Sequence, residues 1–248
     1  MLAEERFSEI LRLVNEKNTI TVQELTEILD TSESTIRRDL TALHKRGSLI
    51  KVHGGATAVN LGSMTRDASV SIRRDMNISE KVHIGKYAAM LVEQDDFIYV
   101  DAGTSTDLMI DYITNADAVY VTNAIGHAQK LLKKGFKVFL LGGELKETTE
   151  AIVGAEAIES LKKYNFTKGF FGTNGIHIER GLTTPDITEA LVKEKAMKQC
   201  KERYVLADPT KFNQISAVTF AGFEDGTIIT TKLQDRSFGK YKHIVEVE

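Results

Sequence analysis

Apolar residues recur at helical spacing near the start of the chain. Phe7, Ile10, Leu11 and Val14 predict one buried stripe on a helix from about Glu4 to Lys17. Thr21 then stands three residues before Glu24, the spacing of a capping box, opening a short helix whose predicted buried face is Val22, Leu25, Ile28 and Leu29. Asp30 and Thr31 mark a turn, and Ser32 is placed to cap a third helix ending near Gly47, with Ile36, Leu40 and Leu43 pointing inward. The period then changes: LIKVH, GG and ATAV read as a short hairpin turning at Gly54–Gly55.

From Thr57 to Ile78 the chain is polar and mixed, and reads as a linker. Ser79 is placed to cap a helix running to about Val92. Beyond it the β-rich runs FIYVD, AVYVT, FKVFLL, KGFFGT and RYVLA alternate with helical segments, among them Ile125 to Lys134, Ala155 to Lys163 and Ile187 to Lys201. That alternation predicts a mainly parallel sheet covered by helices. The expected fold class is α/β: a winged helix-turn-helix of residues 1–57, a linker of 58–78, and an α/β domain of 79–248.

On the third helix Ser34, Arg37, Arg38 and Thr41 share the face opposite the apolar one. A formal net charge of -3 gives no general affinity for nucleic acid. Between residues 34 and 53, however, Arg37, Arg38, Lys45, Arg46 and Lys51 stand against Asp39 alone. Electrostatic contact with DNA is made by such local patches. Arginine can bond bidentately to guanine or hold a phosphate, and hydroxyls suit either. A hairpin directly after the third helix is a wing, which brings Lys51 and His53 close to a DNA backbone. The expected partner is double-stranded DNA.

Several function classes lack support. The N-terminus MLAEERF has no apolar stretch of the signal-peptide kind, and no run approaches the roughly 18 apolar residues of a membrane span, so a soluble cytoplasmic protein is expected. Cys200, the single cysteine, reads as a small packing residue late in a helix. The six histidines show no ligand spacing, and no metal or cofactor is expected.

In the second domain the informative residues follow the strands. FIYV runs into DAGTST, VYV into TNA, VFLL into GGE at Gly142 and Gly143, GFF into GTNG, and YVL into ADPTK. Ligands of open α/β sheets bind outside the carboxyl ends of the strands. Gly103, Thr104, Ser105 and Thr106 enter a helix and offer N–H groups and hydroxyls to a phosphate, with Lys211 as countercharge. Asp101, Asn123, Asn174 and Asp208 suit sugar hydroxyls. GTST lacks the GK[ST] of a Walker loop, and no dinucleotide GxGxxG is present. Lysines 193, 195, 198 and 201 read as a solvated helix flank.

These segments resemble the DeoR family of bacterial sugar-metabolism repressors. Arg6, Ile10 and Val14 match the start of its DNA-binding pattern; Ser32, Thr35, Ile36, Arg37, Arg38, Asp39 and Leu40 match its continuation, and VHGGA its wing. The resemblance adds Thr35 to the DNA-facing set. DAGTST occupies the place of the family's phosphate loop, and GTNGI, GLTT with Glu189 and Lys193, and ADPTKF match later motifs. It implies a sensor domain similar to the ribose-5-phosphate isomerase fold that binds a phosphorylated sugar. DTSESTIRRDL, VHGGA, GGELKETTEAIVGAEA and KYNFTKGFFGTNGI look most like repressors of fructose operons, implying fructose 1-phosphate as effector. Tagatose 6-phosphate or another pathway phosphosugar is the alternative. A helix-turn-helix protein engaging repeated half-sites implies a homodimer or homotetramer. An enzymatic reading, a sugar-phosphate isomerase with an attached DNA-binding domain, needs a carboxylate base. GFFGTNGI contains no acid where isomerases of that fold carry one, which leaves Glu144 and Glu189 as the remaining carboxylates for such a role.

Overall fold

The computed structural model describes residues 3–17, 19–45, 48–52, 54–58, 70–115 and 117–248. His53, Arg46 and Gly47, the expected end of the third helix, and residues 59–69 of the expected linker lie outside them. The chain divides into two compact units, residues 1–63 with 75–78, and residues 64–74 with 79–248.

The N-terminal unit contains α1 (Ala3–Lys17), β1 (Thr19–Thr21), α2 (Val22–Leu29), α3 (Glu33–Lys45), β2 (Leu49–Val52) and β3 (Gly55–Ala58). The predicted capping box forms: Thr21 Oγ1 accepts from Glu24 N at 3.1 Å, and Thr21 N donates to the Glu24 carboxylate at 2.9 Å. Ile10, Val14, Leu25, Ile36, Leu40, Leu43 and Leu49 close one core. Ile28, expected inside, is 46% exposed, whereas Val22, Leu25 and Leu29 are buried: Ile28 lies at the solvent edge of the α2 stripe. The wing has a third strand, in the order β1-β3-β2. Val52 pairs with Gly55, so the turn falls one residue earlier than Gly54–Gly55; Gly54 takes φ +81°, open to glycine without strain.

Arg6 of α1 grips Asp39 of α3 through two bonds, Nε to Oδ2 at 2.5 Å and Nη2 to Oδ1 at 3.2 Å. The pair is nearly out of solvent and fixes the angle at which α3 leaves the core.

The segment expected to be linker holds a short helix, α4 (Val70–Asp75). Next come α5 (Ile78–Met90), with Ser79 inside its first turn rather than capping it, β4 (Phe97–Val100), α6 (Thr104–Tyr112), β5 (Val119–Thr122), α7 (Ile125–Lys133) and β6 (Lys137–Leu140). A hairpin of β7 (Glu144–Lys146) and β8 (Ala151–Val153) leads to α8 (Ala155–Leu161), β9 (Phe166–Gly172), β10 (Gly175–His177), β11 (Gly181–Thr184), α9 (Ile187–Lys198) and β12 (Cys200–Leu206). After a 3₁₀ turn at Pro209–Lys211 the chain finishes with β13 (Val218–Ala221), β14 (Thr227–Thr231) and β15 (Ile244–Val247).

Seven strands form one parallel sheet in the order β15-β14-β12-β9-β4-β5-β6. Both faces of its inner strands are covered, which is why they read as continuous apolar runs, whereas edge strand β6 leaves Phe139 and Leu140 exposed. Ile98 and Val100 meet α5, α6 and α7 residues such as Ile84, Ile110 and Leu131 on one face; Tyr99 and Phe171 meet Ala157, Val192 and Ala196 on the other. Cys200 is buried as expected but opens β12 instead of ending a helix, and burial pushes its thiol up to about 12. Among the described residues no helix is long and apolar enough to cross a membrane.

Removing Arg6 strands a buried carboxylate, so Arg6→Ala is expected to cost about 1–3 kcal/mol in the N-terminal unit. Hydrogen exchange of the α3 amides in the full-length protein checks this: exchange there should speed up while the parallel sheet is unaffected.

Candidate functional site

The first candidate surface is the outer face of α3. Thr35 N donates to Ser32 Oγ at 3.3 Å, so Ser32 caps the helix as predicted. Ser34, Arg37 and Arg38 are exposed, Thr35 and Thr41 half-buried. Arg37 reaches back to Glu33 at 3.2 Å, an exposed pair of the kind that contributes little and yields readily to another anion. Thr41 Oγ1 donates to Arg37 O at 2.7 Å and accepts from Lys51 Nζ at 2.7 Å. The wing lysine is thereby joined to the recognition face, and one surface carries Arg37, Arg38 and Lys51. Arg38 has no hydrogen bond or ion pair among the described residues.

The second candidate lies at the carboxyl ends of β4, β5 and β9. Asp101 ends β4, entirely buried, with Lys193 Nζ against its Oδ2 and Gly172 N donating to the same oxygen at 3.0 Å. Burial raises the Asp101 carboxyl above its usual range, opposed by the Lys193 ammonium. Lys193 is thus no part of a solvated flank: α9 turns it into the molecule, where its Nζ also donates to Gly172 O at 3.2 Å. Lys198 and Lys201 are exposed as expected and Lys195 half-exposed.

The expected sugar contacts are held by the protein's own loops. Asn123 accepts from Ala102 N at 2.8 Å and donates to Ile152 O at 3.3 Å. Asp208 caps the 3₁₀ turn, accepting from Thr210 N at 3.0 Å; Asn174 accepts from Thr184 Oγ1 at 3.3 Å. Thr106 is buried, its hydroxyl shared between the Asp101 and Gly103 carbonyls and His127 Nε2, and Ser105 is buried too. Gly143, at φ +141°, passes within 2.5 Å of Val153 O at the place of a Cβ, so it allows the β7–β8 hairpin to fold close; Gly142 precedes it.

Gly103 and Thr104 do face open space. They line a small, solvent-open cleft with about 30 Å³ of free space, well below the usual size of a small-ligand pocket. Opposite them are Ala124, Gly126 and His127 of the α7 start, Thr149 and Glu150 of the hairpin, and Val70 and Arg74 of α4. Burial depresses His127 to about 4, offset in part by Asp107, so it is neutral at physiological pH. Lys211 is half-buried on its turn and does not line this cleft.

Arg74, His127, Thr149 and Glu150 were missed by sequence reasoning. The basic pair Arg73–Arg74, shortly ahead of α5, was the available signal. Glu189, one of the two carboxylates left to an isomerase reading, is buried and engaged by Lys146 at 2.9 Å and Thr149 Oγ1 at 2.5 Å.

Residues 6–61 match the DeoR-like helix-turn-helix domain and residues 76–232 the DeoR C terminal sensor domain. The chain belongs to the DeoR family. It is 44% identical to the HTH-type transcriptional regulator FruR of Bacillus subtilis (strain 168), over 100% of this chain and 99% of that protein. It is 34% identical to a lactose phosphotransferase system repressor of Staphylococcus aureus (strain NCTC 8325 / PS 47), over 93% of this chain and 92% of that one. Among solved structures, ribose 5-phosphate isomerase A of Methanocaldococcus jannaschii aligns at a TM-score of 0.40 and 14% identity, covering 55% of each chain. This DeoR-family protein is a transcriptional regulator with a DNA-binding and a sensor domain, not an enzyme.

Lys193→Met leaves Asp101 buried without its partner and is expected to destabilise the sensor domain by about 3–5 kcal/mol; adding Asp101→Asn should recover much of that loss. Urea unfolding of the single and double variants measures both.

Proposed function

We propose that this regulator represses a sugar-utilisation operon and that a phosphorylated sugar bound at the strand ends of its sensor domain changes its affinity for operator DNA. The observation that carries the DNA half is the outward face of α3, where Arg38 is unengaged and Arg37 is held by one exposed carboxylate. Arg37 and Arg38 read base edges or hold phosphates from the major groove; Ser34, Thr35 and Thr41 flank them. Lys51 serves the DNA backbone, a role the sequence also suggests for His53. The phosphotransferase-system repressors among the relatives support a sugar pathway. The likeness to fructose-operon repressors favours fructose 1-phosphate, with tagatose 6-phosphate as the competing effector.

The phosphate meets the first turn of α6 at Gly103 and Thr104. Asp101, Asn123, Asn174, Asp208, Gly142 and Gly143 shape the floor and walls around the strand ends, and Ser105 and Thr106 fix the loop from within. The protein works in the cytoplasm as a homodimer or homotetramer on repeated half-sites. Ligand acts by favouring one arrangement of domains or subunits over another.

Thermal unfolding of the purified protein with fructose 1-phosphate, fructose 6-phosphate, tagatose 6-phosphate and ribose 5-phosphate tests the sensor half. A ligand at 100 times its dissociation constant stabilises by about 2.7 kcal/mol. Fructose 1-phosphate is expected to raise the midpoint, and no shift with any of the four contradicts the reading. For the DNA half, Arg37→Ala is expected to cost about 1–3 kcal/mol of operator binding by anisotropy. A loss below a few tenths removes Arg37 from base readout.

A further inference from the structure

We propose that Arg74, on the helix α4 through which the chain enters the sensor domain, is the cation that holds the effector's phosphate against the N-termini of α6 and α7. This rests on the sugar-phosphate reading above and assigns the charge that reading needs.

Two nine-residue helices begin at one cleft. Neither α6, preceded by Gly103, nor α7, preceded by Ala124, is capped by a side chain. Their first-turn N–H groups therefore lack side-chain acceptors, and both helix dipoles favour an anion at this end. A helix start alone selects no ligand; the charges around the cleft do.

Three other cations near this end of the sheet already have carboxylates among the described residues. Lys193 is held by Asp101, Lys146 by Asp186 at 3.1 Å and Glu189 at 2.9 Å, and Lys130 by Asp107 at 3.2 Å and Asp111 at 2.8 Å. Lys130 thereby neutralises Asp107, a carboxylate that lines the cleft. Arg74 lines it as well, is exposed, and has no hydrogen bond or ion pair among the described residues. The field of its guanidinium reaches the buried His127, whose proton affinity it lowers along with Lys130. An unengaged guanidinium facing two uncapped helix starts suits a phosphate dianion, which accepts its fork bidentately.

Glu150, at the tip of the β7–β8 hairpin, is the cleft's other acid. It is suited to accept hydroxyl hydrogens, which favours a phosphate that brings a sugar with it over the bare ion. The crevice between β4 and β9, where strand order reverses, is filled by the Asp101–Lys193 pair. Open volume lies one strand over, beside α4. Lys211 stands on the turn after β12, away from this cleft.

The placement also makes α4 part of the switch. Val70 N donates to Thr148 O at 3.1 Å, and Lys81 of α5 bonds the Arg73 carbonyl, so α4 is lightly pinned to the sensor domain by its backbone. A phosphate bridging Arg74 to α6 and α7 adds a side-chain tether on the segment that follows the DNA-binding domain in the chain.

Isothermal titration of the full-length protein tests the assignment, with fructose 1-phosphate, tagatose 6-phosphate and inorganic phosphate as probes on wild type, Arg74→Gln, Arg74→Lys and Lys211→Gln. Arg74→Gln is expected to weaken the sugar phosphate that binds wild type by about tenfold or more, with partial recovery in Arg74→Lys. Lys211→Gln is expected to stay within about threefold, well under one charge-assisted bond. An unchanged melting temperature without ligand shows that Arg74→Gln is folded. Wild-type affinity in a folded Arg74→Gln, or a loss confined to Lys211→Gln, overturns the assignment and leaves the sensor reading standing. No binding of either sugar phosphate to wild type overturns both.

Discussion

The Asp101–Lys193 pair is the constraint on which the sensor domain's strand ends depend. β4 and β9 are neighbours in the sheet but leave it in different directions, β4 into α6 and β9 into the β10–β11 hairpin. Such a parting normally opens a crevice. Here a carboxylate just after β4, an ammonium from α9 and the N–H of Gly172 meet in it, buried from solvent. Burying either charge alone is prohibitive, so each requires the other and the three elements are fixed together. The Glu189–Lys146 pair, one helical turn earlier on α9, anchors the β7–β8 hairpin in the same way. Two buried ion pairs from one helix therefore set the walls of the cleft.

The same pairs occupy carboxylates at strand ends that would otherwise look equipped for catalysis. Glu189 is buried against a lysine and a threonine hydroxyl, and Asp101 against Lys193. Carboxylates committed in this way hold loops in place. The cleft itself is lined by two uncapped helix starts, a neutral histidine and the guanidinium of Arg74.

The N-terminal unit was legible because its information is local. Capping box, apolar stripes and the exposed arginines all lie within a few residues of what they determine. The inner strands β4, β5, β9 and β12 were legible for a related reason, since burial on both faces writes an apolar run; β6, at the sheet edge, is apolar but largely exposed. The start of α7 was read where it lies, but α4 and the β7–β8 hairpin beside it were not. α4 has six residues, too few for a periodic signal, and the β7–β8 hairpin has strands of three. Lys193 shares its stretch with three solvated lysines; what distinguishes it is a partner 92 positions away, which periodicity cannot register. Ile28 failed the other way, apolar and in phase but facing no wall.

Two units, one carrying an unengaged basic face and the other an anion-ready cleft, make a regulator only if occupation of the second is felt by the first. Anisotropy of a labelled operator bound to the full-length protein, titrated in parallel with fructose 1-phosphate and with unphosphorylated fructose, tests that coupling most directly. The account predicts that the phosphosugar changes operator affinity by about 5- to 150-fold, the usual range of allosteric coupling, while fructose does nothing. An operator affinity that is the same with both sugars as with neither, at concentrations where the phosphosugar stabilises the fold, would contradict it.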